Sequence, residues 1–386
     1  MMLGLLLARA GLKVMVLEKH RDFLRDFRGD TIHPSTLELL HELGILEEFL
    51  RLPHQKVHEL RAQFGDLTLP VADFSGLPVR CPFIAMIPQW DFLDFLARHA
   101  RAYPGFSLMM QAEVTDLIEQ GNKVAGIKCL TPQGPLEITA DLVVGADGRH
   151  SLVRSRGGLP VTDLGAPIDA LWFGLSRRPG DSPDTMARFD SGSILVMLNR
   201  GDYWQCAFVI AKGGFETLKQ KGLESFRATI AGLMRLAGAR MGEIRSWDDV
   251  KLLTVQVNRL REWCRPGLLC IGDAAHAMSP VGGVGINLAI QDAVAAANVL
   301  YNGDFSLPAL SKVQKRRELP TRLTQAFQVA VQNNILRRVL QDTDGIGPPL
   351  AVRALARWPW LRRIPARMVG LGARPEHIQS PSTVAA

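Results

Sequence analysis

Gly272 to Asn287 reads G-D-A-A-H-A-M-S-P-V-G-G-V-G-I-N, directly behind the apolar run Gly267–Ile271. The run predicts a buried strand, and Asp273 falls at its exit. Pro280 with Gly282, Gly283 and Gly285 predicts a loop. A helix is expected from about Ile286, rich in small residues at Ala289, Ala293, Ala295, Ala296 and Ala297. Strand, acid, glycine loop and helix together can receive a flat, polar ligand. Glycines let the backbone approach it closely, and the free N–H groups at a helix N-terminus favour negative charge. The bland reading is a tight strand-to-helix packing loop, which would not call for the whole string.

Two further segments point the same way. In A-D-L-V-V-G-A-D-G-R-H-S-L-V-R (Ala140–Arg154), Leu142–Val144 form an apolar strand and Gly145–Gly148 turn the chain. Open α/β sheets bind ligands outside the carboxyl ends of their strands, so Asp147 and Arg154 are placed to meet one. Asp-Gly alone is a common turn. At the beginning, Met1–Ala10 predicts a leucine-rich helix stopped at Gly11, then a strand at Val14–Leu17 ending in the acid Glu18. That is the second half of a dinucleotide-binding βαβ unit, whose acid lies roughly 20 residues past a glycine fingerprint and bonds a ribose hydroxyl. Counting back puts the first strand and G-x-G-x-x-G before Met1, as though the start fell on an internal methionine.

The bulk properties set limits. A chain of 386 residues predicts two interlocked domains. Its hydrophobic share of 47% and charged share of 22% are those of a globular protein without disorder. The net charge of +7 is scattered, and no finger spacing or basic–aromatic stripe argues for nucleic acid. Cys81, Cys129, Cys206, Cys264 and Cys270 form no C-x-x-C pair, which argues against structural zinc and for a reducing compartment. Leu3–Ala10 is too short to span a bilayer and lacks the flanks of a signal peptide. The expected location is cytoplasmic.

In the order strand-acid, R-G-D at Arg28–Asp30, D-G and G-D-A-A-H, the chain resembles the FAD-dependent monooxygenases of the para-hydroxybenzoate hydroxylase type, including the quinone-biosynthesis hydroxylases. The resemblance covers about residues 1–330. It implies an α/β fold: a Rossmann-like FAD-binding domain with a mainly parallel sheet, interleaved with a smaller antiparallel-sheet substrate domain and a helical C-terminal segment. The implied boundaries are 1–60, 88–168 and 262–330 for FAD, 61–87 and 169–261 for substrate, and 331–386 for the tail. It also implies that NADPH or NADH reduces FAD and that a flavin C4a-hydroperoxide hydroxylates an aromatic or quinone-like molecule with molecular oxygen.

By the same resemblance Glu18 would hold the adenosine ribose, and Arg28, Gly29, Asp30 and Thr31 would contact FAD on its diphosphate side. Gln89 matches a flavin-contacting glutamine. Asp147 and Arg154 fall on the D-G motif, Asp273 on the G-D motif and Pro280 on the active-site proline. Gly283, Val284, Gly285, Ile286 and Asn287 match the flavin-facing loop, with Val284 where many members carry glutamine. His276 tempts as a base or ligand, but no second metal-type ligand stands at useful spacing, and packing is the preferred role. The glycines and the helix terminus would suit reduced flavin, which is anionic around N1 and O2. No acid or base for the substrate emerges.

Strand-like runs at Leu171–Leu175, Ile194–Leu198 and Tyr203–Ile210, with a helix near Leu223–Leu236, predict the antiparallel sheet, to which Leu60–Ile87 would add strands. Trp172, Phe173, Met197, Trp204 and Phe208 are candidate cavity residues. Alternate positions face opposite sides, and core packing competes at each. The tail carries Arg353, Arg357, Arg362, Arg363, Arg367 and Arg374 among Trp358, Trp360 and aliphatics. It packs on the FAD domain or makes weak contact with an anionic membrane surface. An oxidase, reductase or dehalogenase on the same scaffold, or an inactive truncated flavoprotein, are the other readings.

Overall fold

The leucine-rich start forms the helix Met2–Arg9, buried along most of its length. It leads into the strand Val14–Glu18, which pairs in parallel with Phe106–Met110. This is a computed structural model that describes residues 1–24, 31–181, 185–190, 192–234, 238–341 and 347–383. Arg28, Gly29 and Asp30 lie outside the described residues. A second parallel pair joins Val143–Gly145 to Leu268–Cys270, so both motif strands lie side by side and end at the same edge. The fold is mixed α/β, with several sheets of mixed orientation and a C-terminal helical segment.

The helix Gly285–Leu300 runs through the centre of this half, between Met2–Arg9 and Leu307–Val331. Its alanines permit that close approach. With the turn before it, Val281–Leu300 could pass for a membrane span by length and hydropathy, but 67% of its most apolar window is buried in the protein. It is a core helix.

The second layer is a seven-stranded sheet in the order Lys251–Leu253, Ile168–Ser176, Tyr203–Ala211, Ser193–Asn199, Met186–Asp190, Glu59–Phe64 and Leu67–Asp73. Every pairing is antiparallel except Met186–Asp190 with Glu59–Phe64. The early Leu60–Ile87 insertion therefore supplies the last two strands at one end of the sheet, while its last strand, Ile84–Met86, pairs elsewhere with Thr31–Ile32 and Gln55–Val57. One face of the sheet packs Leu171, Phe173, Leu195, Trp204 and Phe208 against Phe226, Ile230 and Leu233 of the helix Leu223–Met234. Each such side chain contributes about 1.5–3 kcal/mol by leaving water.

Three features lie beyond the sequence reading. Glu113–Gln120, Lys123–Thr131 and Gly134–Thr139 form a separate antiparallel sheet. The alternation in E-V-T-D-L-I-E-Q before the turn Gly121-Asn122 was its signal. The helix Leu307–Val331 continues through a π turn at Gln332–Leu336 into Arg337–Gln341. After the helices Leu350–Arg357 and Arg363–Gly370, an irregular strap returns to the beginning of the chain. Along it the Ile378 N–H donates to Glu42 Oε2 at 2.8 Å, and the Thr383 N–H donates to the Arg9 carbonyl at 2.9 Å.

Candidate active site

The free face of the seven-stranded sheet and the carboxyl ends of the two parallel pairs enclose one cavity of about 2400 Å³. Single-ligand sites run to roughly 300–1,000 Å³, so there is room here for a large cofactor and a substrate together. On one side lie Glu18, Thr31, Gln89, Asp147, Gly148, Gly272, Asp273, Pro280, Gly283, Gly285 and Ile286. The fold brings these sequence-predicted residues together on one cavity.

Local bonding explains how they are held. Glu18 closes its strand and accepts from the His20 N–H at 3.0 Å. Asp147 accepts from the Ser151 hydroxyl and from the Val153 N–H at 3.1 Å, so its carboxylate also caps the helix Leu152–Arg156. Gly272 has φ +59° and Gly283 φ +62°. A Cβ at Gly283 would stand 2.7 Å from Thr31 Oγ1, and one at Gly272 2.9 Å from the Ala289 Cβ. Conformation and space both demand glycine. The Thr31 hydroxyl donates to the Gly283 carbonyl at 3.0 Å and ties the loop to the neighbouring strand.

Three loop or turn residues need correction. Arg154 does not line the cavity. Its guanidinium donates to the carbonyls of Ala274 at 3.2 Å and Arg149 at 2.8 Å, bracing the two motif turns against each other. The Val284 side chain is buried with Ile84, Met86 and Val369. Asn287 is buried too. Its Oδ1 accepts from the His33 N–H at 2.9 Å and the Thr36 hydroxyl at 2.8 Å, and its Nδ2 donates to the Thr31 carbonyl at 2.9 Å. Asn287 rivets the 31–36 segment to the loop.

His276 is 1% exposed, lies against Trp263 and bonds Asp292 at 2.5 Å. Asp292 is the centre of a buried network that sequence reading missed. Its Oδ2 also accepts from the Gly272 N–H at 3.0 Å, and its Oδ1 accepts from Arg317 Nε at 2.9 Å. Arg317 reaches Glu376 of the strap at 3.1 Å. Burial alone would raise the Asp292 pKa, but His276 and Arg317 outweigh it and hold the carboxyl below its ordinary range. Asp292 is the one charged residue in the run Gly285–Leu300, and that isolation was a usable signal. His33 is also fully buried, with Nδ1 2.7 Å from the Val369 carbonyl, and burial lowers its pKa to about 4.

The sheet side of the cavity differs. Trp172 lines it, as do Ala170, Ala187, Ile194, Val196, Ala207 and Val209. Met197 and Trp204 do not, and neither do Phe173 and Phe208. All four point to the packed face with Phe226 and Leu233. Trp204 Nε1 donates to Asp181 Oδ2 at 3.3 Å, beside the Asp181–Arg240 ion pair at 2.5 Å, which satisfies the indole inside the core. Among the described residues, the polar groups on the sheet side are Arg61, Thr185, Arg200 and Gln205, with no carboxylate or histidine.

The arrangement fits FAD by the chemistry of its donors. The helix Gly285–Leu300 opens at the loop with no side chain capping its N-terminus, so its first N–H groups are turned toward a ligand atom carrying negative charge. Asp273 stands beside that terminus, with Oδ1 3.9 Å from the place of a Gly285 Cβ. Glu18, Asp147 and Asp273 supply acceptors for hydroxyl groups, and the glycines leave the flat approach a ring requires.

Comparison with known proteins agrees. A family described as an FAD binding domain matches residues 1–303. The chain is 32% identical to 6-methylpretetramide 4-monooxygenase of Streptomyces rimosus, over 95% of this chain and 88% of that protein. It is 30% identical to the uncharacterized aromatic compound monooxygenase YhjG of Bacillus subtilis, over 76% of this chain and 57% of that longer protein. Its fold superposes on p-nitrophenol 4-monooxygenase PnpA from Pseudomonas putida DLL-E4 with a TM-score of 0.74 at 18% identity, over 97% of this chain and 95% of that one.

Proposed function

The chain belongs to the FAD binding domain family and is an FAD-dependent oxidoreductase of the monooxygenase kind, and from that premise we propose that it hydroxylates an aromatic or quinone-like small molecule, with NADPH or NADH as reductant. One observation carries the reading: an uncapped glycine loop and an apolar sheet face look onto the same cavity. Bound FAD, reduced by two electrons from the nicotinamide, would supply oxygen activation, one oxygen atom entering the substrate and the other leaving as water.

The residues divide the remaining work. Glu18 and Asp273 would hold the cofactor's hydroxyl groups, and the N-terminus of Gly285–Leu300 would receive negative charge on its ring system. Pro280 and Val281 set the loop against the sheet, where Val281 shares an apolar cluster with Ile168, Ile194 and Val209. The apolar sheet face excludes water from the reacting ring. Among the described residues that side carries no carboxylate or histidine, which favours ring activation by the substrate's own hydroxyl or amino group. The Arg200–Gln205 pair, Nε to Oε1 at 2.9 Å, can stabilise a phenolate. The test is turnover of the FAD-loaded protein with a phenolic ketone, NADPH and isotopically labelled oxygen gas. A product carrying one labelled oxygen supports the reading. Hydrogen peroxide as the sole oxygen product would overturn it in favour of an oxidase.

We also propose cytoplasmic placement with weak contact to an anionic lipid surface. Leu350, Trp358, Trp360 and Ile364 are 81%, 50%, 65% and 58% exposed, and five arginines lie within the same twenty residues. Co-sedimentation with phosphatidylglycerol vesicles that falls after Trp358→Ala/Trp360→Ala would support it. Equal sedimentation of the parent and variant would remove it.

A further inference from the structure

The register of the seven-stranded sheet aligns one row of cavity-facing residues across five strands. Ala62 pairs with Ala187, Ala187 with Val196, Val196 with Ala207, and Ala207 with Trp172. All five line the cavity. Three are alanines, and over the first four strands the row runs between larger side chains, while beside Trp172 the flanking positions are the small Ala170 and Gly174. One bank is Phe64, Phe189, Ile194 and Val209, with the two phenyl rings stacked at 4.7 Å. The other is Leu60, Leu198 and Gln205. Small residues between large ones make a trough across the strands. Four inter-strand steps of about 4.8 Å give a length of about 19 Å from Ala62 to Trp172.

Both ends are closed. Trp172 stands at one. At the other, the helix Leu350–Arg357 sets Val352 against Ala62 and Phe64, and Leu355 also lines the cavity. The glycine loop spans the trough, with Val281 clustered with the Ile194–Val209 bank and Val284 clustered with Leu60 and Leu198. A flat ligand in the trough therefore passes beneath the loop.

We propose that this trough gauges substrate length: it takes an elongated, flat, fused polycyclic aromatic, roughly three or four rings across, in preference to a single ring. Ala187 and Ala207 keep the floor clear, and Trp172 and the Val352–Leu355 face set the two ends. The inference rests on the monooxygenase reading for the reaction itself, but binding tests it independently. A single ring would cover a fraction of the apolar floor and leave the rest wet. A long ligand buries apolar surface along the whole row, at about 25 cal/mol per Å².

The experiment uses the FAD-loaded protein and measures dissociation constants by calorimetry for phenol, 1,8-dihydroxyanthraquinone and a dihydroxylated tetracenequinone. The parent should bind the fused-ring probes at least about tenfold more tightly than phenol. Ala187→Leu and Ala207→Leu should each weaken the fused-ring probes by about tenfold or more and change phenol binding by less than about threefold. Flavin absorbance and melting temperature report whether each variant is folded. Val352→Ala, at the far end, should weaken the tetracyclic probe less than either leucine variant does. Tighter binding of phenol by the parent, or equal weakening of every probe by the leucines, overturns the trough. Failure of the underlying reading looks different: fused-ring probes bind with the expected ranking, yet no labelled oxygen enters any of them.

Discussion

The two faces of the seven-stranded sheet come from the same strands and have opposite fates. Along Tyr203–Ala211, Trp204, Cys206 and Phe208 enter a core, while Gln205, Ala207 and Val209 face a cavity. The packed face carries volume because the helix Leu223–Met234 must be met at crystal-like density. The cavity face carries alanine and valine because its partner is a ligand and the space must stay open. Along this strand bulk marks the core, and small side chains mark the floor of the cavity.

The largest test of that contrast is a pair of tryptophans. Trp204→Ala should cost about 3–5 kcal/mol in denaturant unfolding, whereas Trp172→Ala should cost about 1 kcal/mol and show itself in ligand binding. Equal losses would erase the distinction between the faces.

Acid should reach the buried segment behind the glycine loop before the packed face of the sheet. His33 is neutral in the folded protein with its pKa lowered to about 4. The unfolded chain takes up that proton below about pH 6.5, so stability falls as pH drops from about 6.5 to about 4 and then levels off, by about 3 kcal/mol in all. His33→Leu should flatten that part of the profile. A wild-type profile flat over that range would contradict a neutral buried His33.

A closer comparison uses neighbours in one strand. Cys206→Leu overpacks the core and should cost about 1–3 kcal/mol. Ala207→Leu, one residue on, should leave the melting temperature nearly unchanged. The finest test is again acid. Asp181, beside Trp204, is held well below the ordinary carboxylate range, first by its hydrogen bonds to the Arg240 guanidinium. Its contribution is complete above the unfolded pKa of about 3.9 and is lost only as pH falls below that. Asp181→Asn should remove a stability slope confined to strongly acidic solution, and no slope at pH 5–7 should change.

The sequence made the ligand loop and the strands beside it legible because each is punctuated locally. Gly283, Asp273, Glu18 and Asp147 owe their positions to turns and strand ends that leave marks in one dimension. Asn287 and Arg154 sit in the same motifs, yet their side chains serve the scaffold. Motif membership says which segment meets the ligand and does not say which atoms do. Trp204 and Met197 stand beside Trp172 as cavity candidates in the sequence because period-two alternation defines two sides without telling which has a helix behind it. The Asp292–Arg317–Glu376 network joins residues far apart in sequence, and only the isolation of Asp292 in an apolar helix hinted at it.

The strap between Arg374 and Thr383 has a consequence for biosynthesis. The Thr383 hydroxyl bonds the carbonyl of Arg9, a separation of 374 residues. The first helix, apolar along its buried side, therefore emerges long before the segment that flanks it exists. At synthesis rates of about 5–20 residues per second, that interval is roughly 20–75 s. Over that time the nascent chain carries an apolar helix with an unfinished flank, and it is then that the protein should lean on a chaperone.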